Sequence, residues 1–236
     1  MRKQQKKVAI VDNAIDPEVY RPVEHWTAFL GAPWEAFRAP DGRLPDLACD
    51  YTHVILTGSE ASIVEREAWV DHEIQFVREV LDNNIPILGS CFGHQLLALA
   101  LRGPAFVRRC PQPEIGWLPI SIETPHPLFG QRKTPTAYAF SSHFDEVIGL
   151  DDDFKILAFS PGCSIQAFQL ADRPVWGIQF HPEIGIAAAR QFLTSLVHLG
   201  YPAAPLFKKA LRQRPRDSGI IRPIVRHFLA AGAMRQ

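Results

Sequence analysis

Pro86-Ile87-Leu88-Gly89-Ser90-Cys91-Phe92-Gly93-His94-Gln95-Leu96-Leu97 joins a short apolar run to a helix-favouring one, and its reading decides the fold. Residues 85–88 have the character of a buried strand, and 95–101 that of a helix. Between them stands G-x-C-x-G, Gly89 to Gly93, the thiol form of the strand–turn–helix elbow that presents a nucleophile. Such a sharp turn needs neighbours without side chains, so that strand and helix can approach closely. Cys91 then lies at a helix N-terminus, where free N–H groups and the helix dipole favour thiolate over thiol. A buried structural cysteine is the plainer reading of a lone apolar-flanked Cys. Both flanking glycines, and the partner found below, weigh against it.

Working outward, Lys7 to Asp12 reads as a central strand, 23–30 as a short helix, and 34–38 as a second strand. Residues 52–57 form a third strand ending at Gly58-Ser59, and 65–81 a long amphipathic helix stopped by Asn83-Asn84. Strands alternating with helices over the first hundred residues predict a parallel α/β sheet. After Gly103 the texture changes. Residues 107–124 and 136–169 hold short alternating apolar stretches broken by Pro and Gly, which suit antiparallel strands. A strand at 175–180 and a helix at 186–199 follow. Four prolines punctuate the remainder, leaving two short helices near 206–213 and 224–231.

The 236 residues suffice for one large domain, or one with an appendage, and 47% hydrophobic with 21% charged content is ordinary for a globular protein. Net charge is zero but unevenly spread. Residues 1–7 carry four basic groups, and 200–236 carry eight with only Asp217 opposing them. That leaves 13 basic and 24 acidic residues between 8 and 199, a body of about −11 with basic ends. The pattern, together with the apolar anchors Leu206, Phe207, Leu211, Ile220, Ile221, Val225, Phe228 and Leu229, predicts an ordered tail folded onto the acidic body or onto a second copy of it, in a homodimer; nothing demands nucleic acid. Cys49, Cys91, Cys110 and Cys163 form no C-x-x-C and no metal-type spacing, so free thiols in a reducing compartment are expected, with no metal or cofactor. The apolar stretch 8–11 stops at Asp12, too short for a secretory segment, and no run is long enough to span a bilayer. The expected location is cytoplasmic, with no membrane contact.

A cysteine nucleophile needs a base, and the base needs an orienting group. Of nine histidines, His181 ends a predicted strand and is followed by Pro182-Glu183. Proline biases His181 to an extended conformation, in which residues i and i+2 project to one side. The Glu183 carboxylate would then lie beside the His181 ring; a surface His-Pro-Glu turn is the alternative. The C-terminal ends of parallel strands are where α/β sheets place ligands. For an oxyanion hole, the N–H of Phe92 is one natural donor, and Gly58 can bring a second close.

In order along the chain, Leu56-Thr57-Gly58-Ser59, the Gly89 to Gln95 elbow, Ser142-His143-Phe144-Asp145-Glu146-Val147 and Gly177-Ile178-Gln179-Phe180-His181-Pro182-Glu183 resemble the class I (triad-type) glutamine amidotransferases. The likeness is to stand-alone domains similar to the amidotransferase domain of GMP synthase. It covers about 8–199 and rests chiefly on the elbow and the Q-F-H-P-E segment. It implies an α/β, flavodoxin-like fold: a mostly parallel central sheet flanked by helices, a smaller antiparallel sheet, and a C-terminal helical extension. The division would be 1–199, amidotransferase-like, and 200–236, a basic extension. It also implies hydrolysis of the glutamine side-chain amide through a γ-glutamyl thioester on Cys91, with His181 as base and acid, Glu183 as its orienter, and Gly58 and Phe92 as the oxyanion hole. Gln95, one helical turn after Cys91, matches a substrate-contacting position, and Ser142, His143 and Phe144 match the substrate rim. Departures exist. Phe144 stands where many relatives have glycine, and Ser90 and Phe92 vary the elbow.

Three functions compete. The first is a glutamine-hydrolysing component delivering ammonia to an acceptor (synthetase) subunit on another chain. The second is a stand-alone hydrolase or transferase of another γ-glutamyl compound. The third, a non-catalytic regulatory subunit, is opposed by the intact Cys91, His181 and Glu183. Gln95 tilts the choice toward glutamine.

Overall fold

The computed structural model describes residues 6–123 and 125–232. Its centre is a nine-stranded sheet. Five strands run parallel: β1 (Val8–Asp12), β2 (Trp34–Arg38), β3 (His53–Leu56), β4 (Ile87–Ser90) and, later in the chain, β9 (Val175–Ile178). The other four are β5 (Val107–Ile122), β6 (Thr136–Val147), β7 (Phe154–Phe159) and β8 (Ala167–Leu170), and all their pairings are antiparallel. The order is β2-β1-β3-β4-β9-β8-β7-β5-β6. The antiparallel strands expected after Gly103 are thus present, joined edge to edge with the parallel ones through the β8–β9 pair.

The central strands are apolar at successive positions because both faces are covered. In β1, Val8 and Ile10 enter one core while Ala9 and Val11 enter the other. Ile55 and Leu88 join the first pair, and Val54, Leu56 and Ile87 the second. The second core is closed by α2 (Ala68–Asp82) and α3 (Phe92–Arg102), the first by α1 (Pro22–Leu30) and α6 (Ile221–Ala230). A third cluster forms between β5, β6, α4 (Ile186–His198) and α5 (Ala204–Leu211). The helix predicted from residue 65 begins at Ala68: Arg66 adopts φ 51° and Glu67 is extended, so the chain enters α2 through a turn.

The C-terminal helices are packed elements. Ile220, Ile221, Ile224, Val225 and Phe228 are buried against Trp26 and Leu30 of α1 and the sheet face. Phe207 and Ala210 of α5 are buried against α4 and β5. Of the two attachments expected, apolar anchors and charge, the anchors are what hold them. Among the described residues, no ion pair within 4 Å joins 200–232 to the rest of the chain. Lys208, Lys209, Arg212 and Arg214 are exposed or half-buried, and Arg216 stacks on Tyr138 with its guanidinium carbon 3.4 Å from the ring centroid. Burial of one Ile or Phe side chain contributes about 1.5–3 kcal/mol, whereas an exposed ion pair contributes about 0–1 kcal/mol. No helix of the described chain is long and apolar enough to cross a membrane.

Candidate active site

Cys91 occupies the one-residue turn between β4 and α3, with φ 50° and ψ −102°. A non-glycine residue held there carries about 1–3 kcal/mol of backbone strain, which the surroundings must over-determine. They do so by close approach. A Cβ on Gly89 would sit 2.3 Å from the Gly93 carbonyl oxygen, and one on Gly93 would sit 2.4 Å from that of Leu56. The Cys91 N–H donates to the Ile178 carbonyl at 2.8 Å, tying the turn to β9. Its sulfur lies 3.9 Å from the Ser142 carbonyl oxygen.

His181 stands three residues beyond the end of β9, where its N–H donates to the Phe140 carbonyl of β6 at 2.8 Å. The following Pro182-Glu183 is a turn, not the extended run that the proline suggested. The turn still brings Glu183 Oε1 to 2.8 Å from His181 Nδ1. Ser90 Oγ donates to the same carboxylate oxygen at 3.4 Å. His181 and Glu183 are 4% and 2% exposed, so this is a dry pair. Burial alone would keep the imidazole neutral. The Glu183 carboxylate and the Cys91 sulfur beside it outweigh burial and raise the His181 pKa.

Cys91, Gln95, Ser142, His143, Phe144 and His181 line one cavity of about 180 Å³. It opens at the C-terminal ends of the parallel strands, where ligands enter sheets of this kind. Gly58, two residues past β3, packs against its wall: a Cβ there would lie 2.8 Å from both His181 Cε1 and Tyr20 Oη. The Gly58 and Phe92 N–H groups donate to no acceptor among the described residues. Gln95 Nε2 donates to the Asp145 carbonyl (2.7 Å) and to Gln179 Oε1 (3.1 Å). The His143 ring is turned to the protein, with Nε2 3.2 Å from Glu114 Oε2 and Nδ1 3.0 Å from the Asp145 carbonyl. Phe144 needs none of glycine's freedom. It is absent from the positive-φ residues, and its ring meets Phe207 of α5 edge-on at 6.3 Å.

Sequence reasoning missed several parts of this cavity. Tyr20, from the loop after β1, places its hydroxyl 3.4 Å from His181 Nδ1. Its signal was position alone, an aromatic just beyond the carboxyl end of a central strand. Phe207 and Tyr201 reach the cavity from the C-terminal extension, and Arg109 and Asp145 meet at its mouth, 3.2 Å apart. Behind the rim, Glu114, His143 and Cys163 bring donor atoms within 4.8 Å of one another, a set of metal-ligand types that chain spacing did not reveal. Protein groups already satisfy the carboxylate: Ser160 Oγ donates to Glu114 Oε1 at 2.7 Å and Gln166 Nε2 to Oε2 at 2.7 Å. All four cysteines are free thiols, and burial pushes that of Cys163 up to about 12.

Residues 29–196 match the profile of the glutamine amidotransferase class-I family. One chain of the glutamine-hydrolysing GMP synthase of Methanococcus aeolicus is 37% identical over 105 residues, 44% of this chain and 54% of the relative. The chain therefore spans about half the length of that relative. Gamma-glutamyl peptidase 4 of Arabidopsis thaliana is 28% identical over 212 residues, 84% of this chain and 82% of its own. In fold, the chain resembles the crystal structure of a glutamine amidotransferase from Thermotoga maritima, with a TM-score of 0.76 at 21% identity, covering 97% of this chain and 100% of the other.

Proposed function

The chain belongs to the class-I glutamine amidotransferase family, and from that premise we propose that it hydrolyses the side-chain amide of glutamine and passes the ammonia to an acceptor on another protein. The observation carrying this reading is a single cavity lined by Cys91 on a strained helix-entry turn and by His181 bonded to the buried Glu183. Cys91 Sγ attacks the amide carbonyl carbon. His181 takes the thiol proton and delivers it to the departing nitrogen, leaving a γ-glutamyl thioester and ammonia. Water, deprotonated by His181, then cleaves the thioester to glutamate and restores the thiol. Glu183 holds the imidazole's tautomer and stabilises its charged form. The free N–H groups of Gly58 and Phe92 receive the oxyanion.

Gln95, with its amide nitrogen committed to the protein, offers Oε1 as an acceptor to the substrate. Ser142 and Phe144 shape the rim, and His143 acts from behind it by fixing the 142–145 segment to Glu114. Arg109 and Asp145 also line this cavity, where they pair with each other at 3.2 Å. The acceptor proposed is a synthetase on a separate chain, as the likeness to one chain of a glutamine-hydrolysing GMP synthase suggests.

Ammonia release from glutamine by the purified chain, against Cys91→Ala, tests the reading. Wild type is expected to release ammonia, and folded Cys91→Ala to lose at least about a thousandfold in kcat. Equal rates in the two would reject it. Slow turnover alone that rises when a synthetase is added would show that the acceptor partner gates the reaction. Inactivity on glutamine with rapid cleavage of another γ-glutamyl amide would transfer the chemistry to that class.

A further inference from the structure

Asn13 lies just past β1, is fully buried, and touches none of the reacting groups named above. Its N–H donates to Thr57 Oγ1 at 2.9 Å, and its Nδ2 donates to the Thr57 carbonyl at 3.2 Å. That carbonyl also accepts the N–H of Gly93, in the first turn of α3, at 3.1 Å. Thr57 Oγ1 in turn donates to the Gly58 carbonyl at 3.0 Å. The Thr57–Gly58 peptide is trans, so its C=O and N–H point in opposite directions. With the C=O fixed between Asn13 and α3, the Gly58 N–H is turned away from both. A Cβ on Gly58 would lie 2.8 Å from both His181 Cε1 and Tyr20 Oη, so this glycine borders the reacting site.

We propose that Asn13 is a positioning residue: its side-chain amide fixes the Thr57–Gly58 peptide so that the Gly58 N–H faces the oxyanion. This rests on the amide-hydrolysis reading above. Rotating the peptide would break the Asn13 and Gly93 bonds to one carbonyl and bury that oxygen unpaired, which opposes the flip. Asn13 Oδ1 and both carboxyl oxygens of Glu73, in α2, are buried without a hydrogen-bond partner among the described residues.

The test compares the full chain with Asn13→Ala and Asn13→Asp, the second keeping the side-chain shape while removing the N–H donor. Two rates are read in each folded variant: ammonia release from glutamine, and alkylation of Cys91 by iodoacetamide. Alkylation forms no oxyanion, so it reports the nucleophile and its access alone. The proposal expects kcat to fall about 10–100-fold in both variants. KM and the alkylation rate should stay within about threefold of wild type. If Asn13→Ala fails to fold, the Asp variant alone decides. A kcat within about twofold of wild type overturns the proposal, as does a parallel loss of kcat and alkylation, which would mark a general structural role. Wild type inactive on glutamine would instead remove the functional reading and this inference with it.

Discussion

At the residue scale the site depends on one strained turn and one buried ion-pairing couple. Glu183 has no solvent to share its charge, and its Oε1 meets His181 at 2.8 Å, so the amide Glu183→Gln leaves the ring without its counter-charge. That variant is expected to fold and to lose about 10²–10⁴ in kcat. Steady-state ammonia release measures it, and a loss smaller than about threefold would contradict the role given to Glu183. The Cys91 turn was legible in the glycine spacing, and the His181–Glu183 contact was expected too, although a turn and not an extended run produces it. The direction of the His143 ring was not legible. It follows from the pairing of His143 with Glu114 across β5 and β6, in a register set by an irregularity between Arg109 and Glu114. Tyr20 was hidden for a related reason, since its loop has no periodicity and its contact with His181 spans 161 residues.

At the scale of elements, the elbow works only while β4, α3 and β3 stay in backbone contact. Gly93→Ala would force a Cβ to within 2.4 Å of the Leu56 carbonyl oxygen, so a destabilisation above about 3 kcal/mol is expected in urea unfolding. A change below about 1 kcal/mol would mean that the helix can move aside. Glu73 gives a second prediction at this scale. Its folded pKa, about 8, stands above its unfolded value of 4.5 because of burial. Its contribution is therefore fully present below pH 4.5 and is lost as pH rises toward 8. Glu73→Gln should gain on wild type across that window by up to about 1.4 kcal/mol per pH unit. A stability difference independent of pH would contradict the buried, protonated carboxyl. Strand and helix positions were readable from apolar runs, and the edge-to-edge joining of the antiparallel strands to β9 was not. That joining is a long-range pairing which local alternation cannot specify.

For the whole molecule, the basic tail changes from a charged appendage to a structural part. Its charge and several of its apolar anchors, Phe207, Val225 and Phe228 among them, were legible in the sequence; the elements they pack against were not, because those partners lie far along the chain. Phe228→Ala is expected to cost about 3–5 kcal/mol and to expose the 212–216 segment to proteolysis. Raising salt to about 1 M should leave the wild-type cleavage rate unchanged; release by salt would restore the electrostatic account. The same packing puts Phe207 opposite Phe144 on the cavity wall, so the extension and the site stand or fall together. What the proposed chemistry requires above all is a covalent γ-glutamyl intermediate on one thiol. Acid-quenching the enzyme during glutamine turnover, then mapping peptide masses, should find one glutamyl group on Cys91 and none on Cys49, Cys110 or Cys163. Turnover without any adduct on Cys91, or with the adduct on another residue, would contradict it.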